Sequence, residues 1–354
     1  MTAHPSKVLV ALSGGVDSSL AAALLIKAGY EVRGLHFLLP TSTPAREAKR
    51  LSVQKIAEHL HIPLSCVDLE EEFNRRVVDP FIDSYLNGLT PNPCVLCNQV
   101  IKFDQLLRHA DRGGIKYIAT GHYATIKEGG SSFVQLWRGN DREKEQSYFL
   151  HRLNQSHLSR TIFPLGGFMK REVRHLALTM GLPTRSEPES QEICFVPEND
   201  YRSFVENRKG FGIRKRGDII NSDGQIVGQH FGTHRYTIGQ RHGLGIASSR
   251  PYYVMEMRPE ENHVLVGRKE ELFSTCVDAD AFTWLEGPPS KEAMRVMAQI
   301  RYRHEPAQGW LEVMDSERVS FQFDEPQWAI TPGQALVCYE EERVLGGGWI
   351  RQSD

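Results

Sequence analysis

The string Val10-Ala11-Leu12-Ser13-Gly14-Gly15-Val16-Asp17-Ser18-Ser19-Leu20 constrains this chain more than any other stretch. Val8 to Leu12 reads as a short buried strand, and Leu20 to Ala28 as a helix closed by Gly29. Between them lies a strand–loop–helix turn whose backbone N–H groups converge at a helix N-terminus. Gly14 and Gly15 allow close backbone approach, and Ser13, Ser18 and Ser19 add hydroxyl donors. Such a turn suits an anion, most simply a phosphate. The plainer alternative is a tight turn with Asp17 or Ser18 as an ordinary helix cap. The string has neither the lysine of a Walker loop nor the spacing of a GxGxxG fingerprint.

The next 170 residues repeat the strand–helix alternation. Glu31 to Phe37 and Leu64 to Leu69 have strand character, and Ala45, Ala48, Leu51, Ile56, Ala57 and Leu60 recur between them at helical spacing. Lys116 to Thr120 forms another strand, ending in the polar turn Gly121-His122-Tyr123. Lys170 to Met180 is an amphipathic helix stopped by Gly181 and Pro183. The pattern predicts an α/β fold, a doubly wound parallel sheet with ligands at the carboxyl ends of its strands. The opening loop and the Gly121 turn then share one edge. Beyond about residue 205, short alternating stretches replace the helices, as in "GDIINSDGQIVGQH" and "VSFQF". With about 100–200 residues per domain, the 354-residue chain divides into an α/β domain over 1–205, a small central domain over 206–272 and a β domain over 273–354.

A formal charge of −2 excludes a uniformly basic protein but leaves room for a local basic face. No window approaches the length of a membrane span, and MTAHPSK lacks the apolar core of an export signal, so the expected location is the cytoplasm, away from membranes. In that setting the six cysteines are poor candidates for a disulfide scaffold and better ones for catalysis or metal binding. Cys66, Cys276 and Cys338 lie in apolar stretches and are expected in the core. Cys94 and Cys97 follow Asn92 and Pro93, which fit the cap and first residue of a helix. In that first turn the helix dipole would favour a thiolate. Half of a zinc site or a packed thiol are the alternatives, although the chain has no second close cysteine pair. Cys194 lies in the polar segment "SEPESQEICFVPEND", on a loop where its thiol is accessible.

The loop Ser13-Gly14-Gly15-Val16-Asp17-Ser18 resembles the PP-loop of ATP pyrophosphatases, which cleave ATP between its α and β phosphates. Taken with "GLHF", "NPCVLCNQVIKF", "TGHYA", "KEQSYFL", "SQEICF", "YTIGQRHGLGI", "RYRHEP" and "TPGQALV", it makes nearly the whole chain similar to the tRNA-specific 2-thiouridylases. That family replaces the 2-oxygen of the wobble uridine with sulfur. The resemblance implies a PP-loop ATPase domain, a small central domain and a C-terminal β-barrel.

Position by position, the resemblance implies that Ala11, Leu12, Ser13, Gly14, Gly15, Val16, Asp17, Ser18, Phe37 and Gly121 hold ATP, with Mg2+ balancing phosphate charge. Cys97 falls on the nucleophile and Cys194 on the persulfide-bearing cysteine. Asn92, Pro93 and Cys94 fall where the target base is met. His122, Lys144, Glu145, Gln146, Arg301, Tyr302, Arg303 and Gln334 fall where tRNA is touched. The implied partners are tRNA and a persulfide carrier or desulfurase protein. Read without the family, Lys144 and Glu145 could be a solvated loop, and Arg301 and Arg303 could point outward from a strand. The family usually has Asp at the positions of Cys94 and Glu145. The first change opens two readings. Cys94 is either a tolerated replacement beside a persulfide pair, or one of three ligands, with Cys97 and Cys194, to a [4Fe–4S] cluster. A PP-loop ligase acting on a small molecule and an RNA-binding iron–sulfur protein are the rival functions.

Overall fold

The computed structural model describes residues 6–129, 133–184, 193–289 and 293–352. The strands of its first 200 residues are β1 (Lys7–Ala11), β2 (Glu31–Leu38), β3 (Leu64–Asp68), β4 (Tyr117–Ala119), β5 (Ala124–Glu128), β6 (Val134–Arg138) and β7 (Thr161–Ile162). Five of them pair in parallel, in the order β3-β2-β1-β4-β7. Because strand side chains alternate, Val8 and Val10 face one side of the sheet and Leu9 the other. The first side packs on Ala22 and Leu25 of α1 (Val16–Lys27) and Val53 of α2 (Thr43–His59). On the second side, Leu9 and Leu35 meet Phe103, Leu106 and Ala110. Both faces are covered, which is why the sequence of β1 is apolar throughout. The doubly wound sheet read from the sequence is present.

The central region carries β8 (Arg216–Asn221), β9 (Ile226–Phe231), β10 (Tyr253–Arg258) and β11 (His263–Gly267), in the order β10-β11-β8-β9 over Ile219, Val254, Val264 and Val266. The C-terminal strands are β12 (Phe273–Trp284), β13 (Ala293–Gln299), β14 (Ala307–Val313), β15 (Val319–Trp328), β16 (Ala335–Glu340) and β17 (Arg343–Ile350). Their order is β12-β15-β14-β13-β16-β17, and β12 pairs again with β17 to close a barrel around Val277, Phe321, Phe323, Leu336 and Cys338. Closure leaves few bare strand edges.

One feature of the assembly differs from the sequence reading. The hairpin β5–β6 lies in the first 205 residues but adds to the barrel sheet, with Arg343 of β17 opposite Trp137 of β6. Tyr148 and Leu150 likewise share a core with Ala335, Val337 and Tyr339 of β16. The parallel-sheet region and the barrel are therefore joined through buried apolar surface.

Two cysteines also differ. Cys338 is buried as expected, but Cys66 and Cys276 are exposed. Cys66 lies on β3, the edge strand of the parallel sheet, and Cys276 lies on the outer face of β12 beside Ser320. An apolar local sequence does not say which face of an edge strand or barrel strand turns outward.

Candidate active site

The opening loop is built as its residue types suggest. Gly14 takes φ +89°, a left-handed conformation that other residues rarely adopt. Gly15 holds the N-cap position of α1 and makes no side-chain cap. Neither Asp17 nor Ser18 caps the helix, so the plain capped-turn reading does not hold. Instead Ser13 N–H donates to Ser18 Oγ (3.1 Å), and Ser19 Oγ donates to the Gly15 carbonyl (2.9 Å). These bonds fix the loop's curve while the first N–H groups of α1, which have no intrahelical acceptors, stay at its mouth. Behind the loop, buried His36 bonds through Nδ1 to the Leu12 carbonyl at 2.7 Å, and burial pushes its pKa down. It braces the end of β1 as a neutral ring.

Asp17 does something the sequence did not announce. Its carboxylate accepts from Lys170 Nζ at 2.6 and 2.7 Å and from the Tyr123 hydroxyl at 2.7 Å. Lys170 is buried and opens the helix Lys170–Thr179. A cation at a helix N-terminus opposes the dipole, and that local misfit was the available signal that Lys170 serves something outside its helix. The two residues are 153 positions apart, and nothing in local periodicity pairs them.

Gly121 closes the other side of the loop. A Cβ at this position would lie 2.8 Å from the Asp17 carbonyl carbon and 2.8 Å from Ser18 N, both backbone atoms. The first turn of α1 has no room to yield. Gly121→Ala should therefore push the two turns apart and lower ATP-dependent turnover by about 100-fold, the scale expected when preorganised donors are displaced. Steady-state AMP release, read beside an unchanged circular dichroism spectrum, checks this. Wild-type rates in a folded Gly121→Ala protein would contradict the close approach.

At the carboxyl ends of β2 and β3 a second cluster gathers the cysteines. Phe37, Leu39, Val67 and Leu69 from these strand ends pack with Cys97, Ile193, Phe195 and Val196. The residues flanking Cys194 thus share one core with Cys97, and Cys194 is close enough for its charge to act on both Cys94 and Cys97. Cys194 and Cys94 are exposed, whereas Cys97 is buried. Ser190, Gln191 and Glu192 of the "SQEICF" stretch lie outside the described residues.

The helix begins at Pro93 as read, but it lasts only to Leu96 and continues as a π-helical turn, Cys97–Phe103. The expected thiolate is not favoured there. Burial pushes the Cys97 thiol up to about 12, outweighing the pull of Lys102. Cys94 keeps solvent contact but sits in a crevice crowded by protein, and that desolvation raises its thiol as well. Four residues of helix supply too little dipole to offset desolvation. Among the described residues no group of three or more His, Cys, Asp or Glu is arranged to hold a metal. As placed, Cys94, Cys97 and Cys194 are not among such groups.

Asn92 occupies the N-cap position but makes no side-chain cap, and its side chain lies near enough to the Tyr148 hydroxyl to act on it. That hydroxyl donates to the Ala335 carbonyl at 3.0 Å, and Gln334 Nε2 donates to the Thr90 carbonyl at 2.9 Å. The barrel is thereby fastened to the chain just ahead of Cys94. Nearby, Tyr302 packs on Phe149 with ring centroids 4.4 Å apart, and Arg301 donates to the Trp328 carbonyl at 3.0 Å. Arg301 to His304 form a turn after β13 rather than a strand, with Arg303 exposed.

Other residues aligned with tRNA contacts are internal. His122 is buried, bonds Thr120 Oγ1 at 2.7 Å and stacks on Phe103, and burial holds its pKa well below the usual value. Glu145 is buried rather than solvated, accepting from Ser147 N (3.0 Å) and Oγ (2.7 Å) and pairing with Arg138. Gln146 Oε1 accepts from Tyr123 N at 3.1 Å, and Lys144 is half-buried. Gln146, bonded to Tyr123, and His122, bonded to Thr120, thus brace the turn that carries Tyr123 toward Asp17.

The fold and this site define a nucleotide-loop protein with two appended β modules. Family models match the corresponding stretches: a tRNA methyl transferase HUP domain over residues 6–198, a tRNA methyl transferase PRC-barrel domain over 203–268 and an aminomethyltransferase β-barrel domain over 274–350. The tRNA-specific 2-thiouridylase MnmA of Geobacter metallireducens is 45% identical, covering 97% of this chain and 96% of its own. That of Syntrophotalea carbinolica is 45% identical over 97% and 98%. The chain belongs to the tRNA-specific 2-thiouridylase family, and it is an enzyme of the sulfurtransferase kind. Among solved structures, a 4-thiouridine synthetase–RNA complex with bound ATP aligns with 57% of this chain and 50% of its own at 19% identity, with a TM-score of 0.36. No helix among the described residues is long and apolar enough to cross a membrane.

Proposed function

We propose that this protein thiolates the wobble uridine of tRNA at C2, using ATP to activate the base and a cysteine persulfide to supply sulfur. The observation that carries this reading is the single core that joins Cys97, the neighbours of Cys194 and Phe37, at the edge of the sheet where the Ser13–Ser18 loop also ends. A uridine carbonyl is a weak electrophile with a poor leaving group. Attack of its oxygen on the α-phosphorus of ATP turns that oxygen into a good one and releases pyrophosphate toward the loop. The Lys170–Asp17–Tyr123 cluster and the first N–H groups of α1 stand beside the departing phosphates. Magnesium accompanies the nucleotide and balances its charge.

The second half uses the cysteines. Cys194, exposed, receives sulfur from a persulfide carrier or desulfurase and presents it to the activated carbon. Cys97 attacks the Cys194 sulfur of the persulfide, releasing its outer sulfur for transfer and leaving a Cys97–Cys194 disulfide for a reductant to open. AMP leaves as the C2–S bond completes. Anticodon-loop bases are unpaired, so the target can be presented beside Asn92, Pro93 and Cys94 without melting a duplex. The test is direct: protein, unmodified tRNA, ATP and a persulfide donor should give 2-thiouridine in a nuclease digest. Thiouridine at another position, or none, would contradict the reading.

A further inference from the structure

Three cysteines lie within electrostatic reach of one another here, and the proposed chemistry uses two of them. Cys97 is buried, in a core formed by Phe195, Val196, Ile193, Phe37 and neighbouring side chains. A Cys97–Cys194 disulfide therefore has one sulfur inside that core. Thiol–disulfide exchange needs an accessible sulfur lined up with the incoming thiol, so an external reductant reaches such a bond poorly. Cys94 is one helical turn ahead of Cys97, is exposed, and lies within the electrostatic reach of Cys194.

We infer that Cys94 is the resolving thiol of this enzyme: it opens the Cys97–Cys194 disulfide from within and carries the oxidised pair to the surface. The inference rests on the function proposed above. In the step, the Cys94 thiol loses its proton and its sulfur attacks Cys97 Sγ. A Cys94–Cys97 bond forms, the Cys97–Cys194 bond breaks, and the Cys194 thiolate leaves with the electron pair and takes up the proton. No other reactant is consumed. Cys194 is then free to be loaded with sulfur again, while a dithiol reductant opens the Cys94–Cys97 bond from the side of Cys94, the exposed residue of the pair.

Geometry favours the step. Residues three apart on a helix face each other with Cβ atoms about 5–6 Å apart, and a disulfide needs about 4 Å. The helix Pro93–Leu96 is a single turn that passes directly into a π-helical one at Cys97. A short, irregular helix start can close that gap without disturbing a long run of backbone bonds. The raised pKa of buried Cys97 makes it a poor leaving thiolate, so exchange that expels exposed Cys194 is the favoured direction.

Peptide mapping after one turnover tests this. Protein with a persulfide on Cys194 is given ATP and one equivalent of unmodified tRNA without reductant, then alkylated and digested. The wild type should hold mainly a Cys94–Cys97 disulfide with a free Cys194. In Cys94→Ser and Cys94→Ala the bond should be Cys97–Cys194. With limiting dithiol, the ratio of later turnovers to the first should fall at least about tenfold in both variants. Thiouridine formed with a Cys97–Cys194 bond in the wild type, or an unchanged ratio in the variants, would overturn the inference alone. No thiouridine in the first wild-type turnover would overturn the functional reading and this inference with it.

Discussion

Asp17→Ala should leave the protein folded and reduce tRNA-dependent AMP formation by at least about 100-fold. The carboxylate holds Lys170 through both oxygens and takes the Tyr123 hydroxyl as well. Its loss leaves a buried ammonium without its counter-charge and frees two side chains from the mouth of the loop. Removing one member of a buried pair costs about 3–5 kcal/mol, and the partial exposure of Asp17 places the expected loss at or below the lower end. The thermal midpoint should therefore drop while the unfolding transition stays cooperative. Lys170→Met should damage AMP formation comparably, and the double variant should be little worse than either single one, because the residues act as a unit. Ser13→Ala should also impair AMP formation through its bond with Ser18. Normal AMP formation in a folded Asp17→Ala protein would remove the loop from the nucleotide chemistry.

Cys194→Ser should separate the two halves of the reaction. Adenylation needs ATP and the base, whereas sulfur transfer needs a side chain that can carry a persulfide. The variant should bind tRNA, release pyrophosphate once and accumulate adenylated tRNA, with thiouridine falling by about 1000-fold or more. Because Cys194 is exposed, the substitution should cost little stability. Mass spectrometry of the recovered tRNA distinguishes the outcomes. Full thiouridine formation would show that sulfur reaches the base by another route.

Much of this site could be read from the chain because its chemistry is local. The Ser13–Ser18 loop brings its glycines, hydroxyls and helix start within a few residues, and Gly121 ends a recognisable strand. The parallel sheet was equally legible, since β1 has the continuous apolar character of a strand buried on both faces. What was not legible depends on distant segments meeting. The β5–β6 hairpin alternates like any two-stranded ribbon, and nothing in it names β17 as its neighbour. Tyr148 reads as an ordinary aromatic until the backbone of Ala335 arrives at its hydroxyl. Glu145 and His122 look like surface residues of polar turns, and only the packed structure buries them. The thiol of Cys97 shows the same limit in energetic form: position at a helix start suggests a thiolate, but burial decides against it.

The central claim is that the loop spends ATP on an RNA base, and pyrophosphate release measured with and without unmodified tRNA tests it most directly. Wild-type protein supplied with ATP should release pyrophosphate at a negligible rate alone, and with one equivalent of unmodified tRNA should release it stoichiometrically with AMP and thiouridine. A tRNA already thiolated at the wobble position should give no release. Pyrophosphate release that ignores tRNA and answers to a small carboxylate instead, or tight tRNA binding with no ATP consumed, would contradict the account.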